Sequence, residues 1–175
     1  MASATVGCFL YFAFGSNLLK ERIQLANPMA TFVSTGRLKD YKLDFGYWGE
    51  NVQTNWHGGA ATIKFSPGAE VWGVIWSLNN ETLANLDNQE GVNTGMYTPL
   101  EVSVETNEGT VLCRTYQMNN FHAALPSPQY KKVVCLGAEQ NKLPDEYVTS
   151  LKAIQHNNYS GPSIIDEIVL PSNET

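Results

Sequence analysis

The stretch that most limits what this chain can fold into is "YFAFGSNLLKERI", residues 11–23. An almost wholly apolar run over residues 7–14 ends at Gly15 and gives way to a helical pattern that must stop before Pro28. A run of that kind predicts a strand buried on both faces, and Ser16 or Asn17 is a natural N-cap for the following helix. A glycine-bearing turn before a helix gathers backbone N–H groups and the positive end of the dipole at one spot, which suits phosphate, carboxylate or an oxyanion. The stretch lacks the G-K-[ST] of a phosphate loop and the second glycine of G-x-S-x-G, so nucleotide binding drops away and Ser16 reads better as a cap than as a nucleophile.

The remaining chain alternates strand and helix signals, an α+β pattern. Tyr41, Leu43 and Phe45 alternate with Lys42 and Asp44 as a half-buried strand, and residues 48–59 read as a loop. Two apolar runs, 60–65 and 71–78, flank "SPGAE", whose proline and glycine predict a hairpin turn. A second hairpin is expected around "TNEG", between the alternating residues 100–105 and the run 110–118. Two helices close the chain. "PSPQYKKVV" offers Ser127 as N-cap with Pro128 at the first helical position, and "LPDEY" repeats the arrangement with Pro144. The 175 residues are expected to form one domain, 1–175, with residues from about 160 to 175 as a surface tail that ends loose.

Charge and cysteine usage narrow the partners. With 17 acidic and 11 basic residues the net charge is −6, which argues against nucleic acid or an anionic membrane surface. No run approaches the roughly 18 apolar residues of a membrane span, and no signal peptide is visible, so the sequence predicts a soluble, cytoplasmic protein. Cys8, Cys113 and Cys135 form no C-x-x-C pair and read as reduced thiols. His57, His122 and His156 are isolated, without ligand spacing, and no metal is expected.

The most informative residue lies in "NNETLANLDNQEGV", residues 79–92. Asn79 or Asn80 can cap a helix and Gly91 sits where a left-handed C-terminal glycine belongs. At about 100° per residue, Leu83 and Leu86 define the inward face, Glu90 falls on it, and Asp87, roughly 70° away, can reach solvent. A carboxylate on an apolar face loses hydration, and in the last helical turn it meets the negative dipole end; both raise its pKa toward values useful in general acid–base work. Periodicity alone equally allows Glu90 to bend out from a frayed helix end. Tyr97 and Tyr130 are open between core packing and ligand contact.

Taken together, "FLYFAFGSNLLKERI", "LDFG", "WHGGAATI", "EVWGVIW", "LDNQEGVNTGMY", "PSPQYKKVVCLGA" and "LPDEYVTSLKAI" resemble the γ-glutamylcyclotransferase family, from about Phe9 to Tyr159. The resemblance is strongest to the branch that acts on γ-glutamyl amino acids in general. It implies a small closed β-barrel of mixed strands flanked by helices. It also implies conversion of a γ-glutamyl amino acid to 5-oxoproline and a free amino acid, without a cofactor, by a homodimer. Glu90 matches the family's catalytic glutamate; Tyr11, Phe12, Ala13, Phe14, Gly15 and Ser16 match its substrate-binding turn, Tyr130 its binding tyrosine, and Tyr97 a tyrosine of the same cavity. Phe14 departs from the family's Tyr-Gly-Ser-Asn turn by one lost hydroxyl. The alternative that follows from this departure is a weakened or silent relative that binds a γ-glutamyl ligand or a protein partner.

Overall fold

In the computed structural model, residues 7–49 and 56–168 are described. Five long strands form the body: β1 (Cys8–Ala13), β2 (Thr31–Tyr47), β3 (Ala60–Asn79), β4 (Tyr97–Thr106) and β5 (Gly109–Met118). Neighbours run β3-β1-β5-β4-β2, and β2 pairs again with β3, so the sheet closes into a barrel with no free edge among these five. A two-residue β6 (His122–Ala123) pairs with the end of β2. The barrel is mixed because β1 lies parallel to β5, Tyr11 opposite Arg114, while the remaining pairs are antiparallel.

The strand read from residues 7–14 is β1, with Leu10 to Ala13 all buried. It is tied to β5 by the Thr115 hydroxyl, which donates to the Phe12 carbonyl at 2.8 Å. Between β3 and β5 the Gln117 amide donates to the Ile63 carbonyl at 3.0 Å and Met118 N–H to the Thr62 hydroxyl at 2.8 Å, so these polar groups are paired. Around them pack Phe12, Ile63, Val71, Val74, Ile75, Trp76, Leu78 and Val104, all 2 % exposed or less. The β4–β5 hairpin forms as its alternation predicts.

The first predicted hairpin does not form. Residues 60–79 are one continuous strand, and both its halves pair with β2. "SPGAE" is a wide bulge: Lys39 faces Glu70 and Tyr41 faces Phe65, which leaves residues 66–69 opposite Asp40 alone. Asp40, at φ 65°, accepts Gly68 N–H at 3.0 Å and closes the bulge. Proline and glycine interrupt a ladder in either arrangement, and only the pairing partner decides between bulge and reversal.

Four helices flank the barrel: α1 (Lys20–Ala26), α2 (Leu83–Gln89), α3 (Pro128–Gln140) and α4 (Asp145–Lys152). Ser127 caps α3, accepting Tyr130 N–H at 3.1 Å, with Pro128 in the first turn as expected. Pro144, in contrast, is the N-cap of α4 and lies outside its first turn. Neither Ser16 nor Asn17 caps α1. A single 3-10 turn, Ser16–Leu18, intervenes, and Leu19 occupies the cap position without a side-chain bond. Asn17 is engaged elsewhere: its amide donates to the Tyr11 hydroxyl at 3.1 Å and its carbonyl accepts Trp76 Nε1 at 2.9 Å.

The three cysteines are free thiols, Cys113 and Cys135 buried and Cys8 half-buried. The tail as far as residue 168 lies over the surface: Tyr159 stacks on His57 at 4.3 Å between centroids, and Asn157 donates to the His57 carbonyl at 2.8 Å. Its expected loose end, 169–175, falls outside the described residues, as do residues 50–55 of the predicted loop.

Candidate active site

The end of β1 and the turn after it open into a pocket of about 350 Å³ of empty space, its mouth included. Its wall is made by Tyr11, Phe14, Gly15, Ser16, Asn17, Ala61, Glu90, Tyr97, Tyr116 and Tyr130. Seven of the nine residues singled out from the sequence are in that group. Phe12 and Ala13 are not: both are fully buried in β1 and contribute to the core that holds the turn.

Each wall residue arrives by a traceable local cause. The Ser127 cap puts Tyr130 in the first turn of α3, where its hydroxyl accepts Ala61 N–H at 2.9 Å. The Tyr97 hydroxyl donates to the carbonyl of the same Ala61 at 3.0 Å, so one residue of β3 fixes two tyrosines. Gly15 is required by closeness: a Cβ there would lie 2.8 Å from the Tyr130 hydroxyl and 2.9 Å from Ala61 Cβ. The 3-10 turn that follows is too short for an appreciable macrodipole, so any anion at this turn meets individual N–H groups instead.

Glu90 is the C-cap of α2, with its N–H on the Leu86 carbonyl at 3.0 Å. Asn79 caps the preceding turn, accepting Glu81 N–H at 2.9 Å. Gly91 follows at φ 68°, ψ 31°, the left-handed conformation that glycine adopts without steric cost, and turns the chain toward Tyr97 at the head of β4. Burial lifts the Glu90 carboxyl from its ordinary 4.5 to about 7; the Arg22 guanidinium and the Tyr11 hydroxyl oppose the rise, and Asp87 adds to it. Burial pushes Tyr130 up to about 12 and Tyr11 and Tyr97 well above 10, with the Glu90 charge adding in each case. At neutral pH the pocket therefore holds one half-ionised carboxyl among neutral phenols.

Sequence reasoning missed Asn17, Ala61 and Tyr116 as wall residues, and Arg22 as a facing charge. Arg22 lies over Trp56, 5.9 Å from the ring centroid, and Trp56 in turn packs edge-on to Tyr130 at 5.1 Å. Asp87, expected to reach solvent, does so only in part: it is half-buried in an ion pair with Arg114 of β5 at 2.8 Å, because that strand lies on the side that a helical wheel leaves open. Among the described residues, no histidine is in the wall that holds Ser16; His57 stacks on Tyr159 and His156 Nδ1 accepts Asn158 N–H.

A five-strand mixed barrel with helices around one polar pocket is the architecture of the γ-glutamylcyclotransferase-like class. A match to the AIG2-like family covers residues 70–151. The γ-glutamylcyclotransferase of Bos taurus is 57% identical over 154 residues, 87% of this chain and 82% of that protein. That of Mus musculus is 55% identical over 161 residues, 91% and 85% of the two chains. A solved γ-glutamyl cyclotransferase structure superposes with a TM-score of 0.87 at 54% identity, covering 91% of this chain and 96% of its own. The chain belongs to the γ-glutamylcyclotransferase family and is an enzyme of that type.

Proposed function

We propose that this enzyme converts γ-glutamyl amino acids to 5-oxoproline and a free amino acid, with Glu90 as general base and then general acid. The observation that carries the reading is a single carboxyl, lifted to about 7, inside a pocket walled by neutral tyrosines. The substrate brings both reactants. Its α-amine attacks its own γ-carbonyl, the new C–N bond closes a five-membered lactam, and the bond to the leaving amino acid breaks. No nucleophile of the protein is consumed. Glu90 takes a proton from the α-ammonium and returns one to the departing amine, two transfers that suit a group titrating near neutrality.

The rest of the pocket supplies geometry. Holding the substrate folded back removes rotational freedom before the reaction, a contribution of several kcal/mol in well-oriented intramolecular attacks. Tyr97 and Tyr130, each anchored on Ala61, are rigid walls for that conformer. Backbone N–H groups at Gly15 and Ser16 hold the oxyanion or the α-carboxylate. This scheme uses one domain spanning the chain and no cofactor. A net charge of −6 supports a small-molecule substrate over nucleic acid or an anionic membrane, and no helix among the described residues is long and apolar enough to cross a membrane. Free thiols support a cytoplasmic location, while a homodimer rests on the family resemblance.

The test is incubation of the purified protein with γ-glutamylalanine and chromatography of the products. Equal amounts of 5-oxoproline and alanine are expected, with intact glutathione turned over more slowly. Glutamate in place of 5-oxoproline would indicate hydrolysis, and no product would indicate a silent relative. Glu90→Gln is expected to lose at least about 10²-fold to 10⁴-fold in kcat, the range of general acid–base contributions. Retention of more than about a tenth of wild-type kcat would remove Glu90 from the mechanism.

A further inference from the structure

One wall of the pocket is backed by charged groups that the reaction scheme leaves unused. Arg114 of β5 donates from Nε and Nη2 to Asp87 Oδ1 at 3.1 and 3.0 Å, and from Nη2 to Oδ2 at 2.8 Å. The Tyr116 hydroxyl donates to the same Oδ1 in a short hydrogen bond, and accepts from Arg114 Nε at 3.1 Å. Tyr116 lines the pocket and meets Tyr11 edge-on, 5.9 Å between centroids. Asp87 stands on α2, three residues before Glu90. Arg114 and Tyr116 stand two apart on β5 and so share a face of the strand. The fork therefore joins the helix that carries Glu90 to the strand that carries a wall tyrosine.

That helix has little else to hold it. It is seven residues long, below the length at which a helix is stable by itself, and Leu86 is its one buried residue. Its other side-chain ties run to the end of α1 and its C-cap: the Asn85 amide to the Ala26 carbonyl at 3.1 Å and to Asn27 Oδ1 at 3.3 Å, and the Asn27 amide to Gln89 Oε1 at 2.9 Å. A half-buried ion pair contributes little net stability once desolvation is counted, and its better-attested use is fixing register. A three-bond fork is also directional in a way that the Leu86 contact is not.

We propose that Asp87 and Arg114, with Tyr116, are positioning residues for the reaction: the fork sets the C-terminal end of α2 against β5, so that the Glu90 carboxyl is held in register with the pocket wall that Tyr116 forms. The inference rests on the reading of Glu90 as base. The charged and titratable groups that face Glu90 come from every side of the pocket: Arg22 from α1, Tyr11 from β1, Tyr97 from β4, Tyr130 from α3 and Asp87 from its own helix. Asp87 is the anion in that set and adds to the rise at Glu90; Arg114 is its ion-pair partner, so loss of Arg114 leaves that negative charge uncompensated.

The experiment compares Asp87→Asn and Arg114→Gln with wild type and with Glu90→Gln, by kcat, KM and the acid limb of kcat/KM on γ-glutamylalanine. Each fork variant is expected to lose about 10-fold to 100-fold in kcat, the scale of a small misplacement of a catalytic group, with KM nearly unchanged. The acid limb is expected to move to lower pH in Asp87→Asn and to higher pH in Arg114→Gln. A pair that merely braced the fold would lower the melting temperature in both variants and leave kcat and the limb where they were; that result overturns the proposal. If Asp87→Asn does not fold, Arg114→Lys carries the test: it keeps the charge but not the fork, and wild-type kcat in it overturns the proposal equally. Normal activity in Glu90→Gln refutes the reading of the base; an inactive Glu90→Gln beside fully active fork variants refutes only the positioning role.

Discussion

The raised Glu90 carboxyl has a thermodynamic consequence that can be measured without substrate. Its ordinary value is 4.5 and its value in the fold is about 7. Between those limits the folded protein keeps a proton that the unfolded chain releases, so stability falls as pH rises through the window. Below pH 4.5 both states are protonated and the cost is absent; above pH 7 both are ionised and it is complete. At about 1.4 kcal/mol per pH unit, the full cost is about 3 kcal/mol. Glu90→Gln removes the titrating group and keeps its size. Any fixed cost of burying the amide shifts the whole comparison equally, and Asp87, Arg22 and the tyrosines remain in both proteins. The stability of Glu90→Gln relative to wild type should therefore rise by about 3 kcal/mol from pH 4.5 to pH 8. In a domain of this size that is a relative gain of roughly 6–12 °C in melting temperature. Urea denaturation of both proteins across the range measures it. A difference that stays flat within about 0.5 kcal/mol would show that Glu90 titrates normally, and the argument for a tuned base would fall with it.

Two substitutions at the turn test its construction. Phe14 lines the pocket at 8 % exposure, and Phe14→Tyr restores the hydroxyl usual in the family without a change of backbone, so normal folding and an equal or higher kcat/KM are expected in the γ-glutamylalanine assay. A large loss would show that the pocket is built around the phenyl ring. Gly15→Ala forces a Cβ to 2.8 Å from a Tyr130 hydroxyl that cannot withdraw without orphaning Ala61 N–H; about 1–3 kcal/mol of stability and at least tenfold in kcat/KM should be lost, read by urea denaturation and the same assay.

Local chemistry was legible where local chemistry decides. Ser127 and Asn79 are caps because their oxygens reach N–H groups within the next few residues, and Gly91 ends α2 because its position demands the left-handed conformation. Glu90 was legible as a position on the inward face, and its matching role came from the family resemblance. Closure of the barrel was not legible from periodicity, since alternation marks a strand without naming its neighbours. The same gap explains the misread "SPGAE", whose bulge depends on Asp40, 28 residues away in sequence from Gly68. The surroundings of Asn17 and Asp87 were hidden for a related reason. Asn17 has a strong local preference for capping but its side chain turns back to Tyr11 in the preceding strand, and Asp87, free to reach solvent on a helical wheel, is claimed by Arg114 of a strand remote in sequence. Tyr116 and Arg114 sit in an ordinary alternating strand, and nothing in the alternation separates them from any other half-buried pair.

The cost to the fold and the gain to the chemistry are the same quantity. A base at the ordinary 4.5 would leave removal of a proton from an ammonium group far uphill. Moving that carboxyl to about 7 reduces the uphill part of the first transfer by about 3 kcal/mol, the amount by which ionised Glu90 weakens the fold above neutrality. Further burial would deepen both effects, and past neutrality it would also leave too little of the ionised form to act as base. The opposing neighbours set the balance: Arg22 and the Tyr11 hydroxyl favour the carboxylate, while desolvation and Asp87 favour the acid. A pocket of neutral phenols suits this arrangement, because tyrosines held above their ordinary pKa by burial donate hydrogen bonds without adding a second charge that would pull Glu90 away from neutrality.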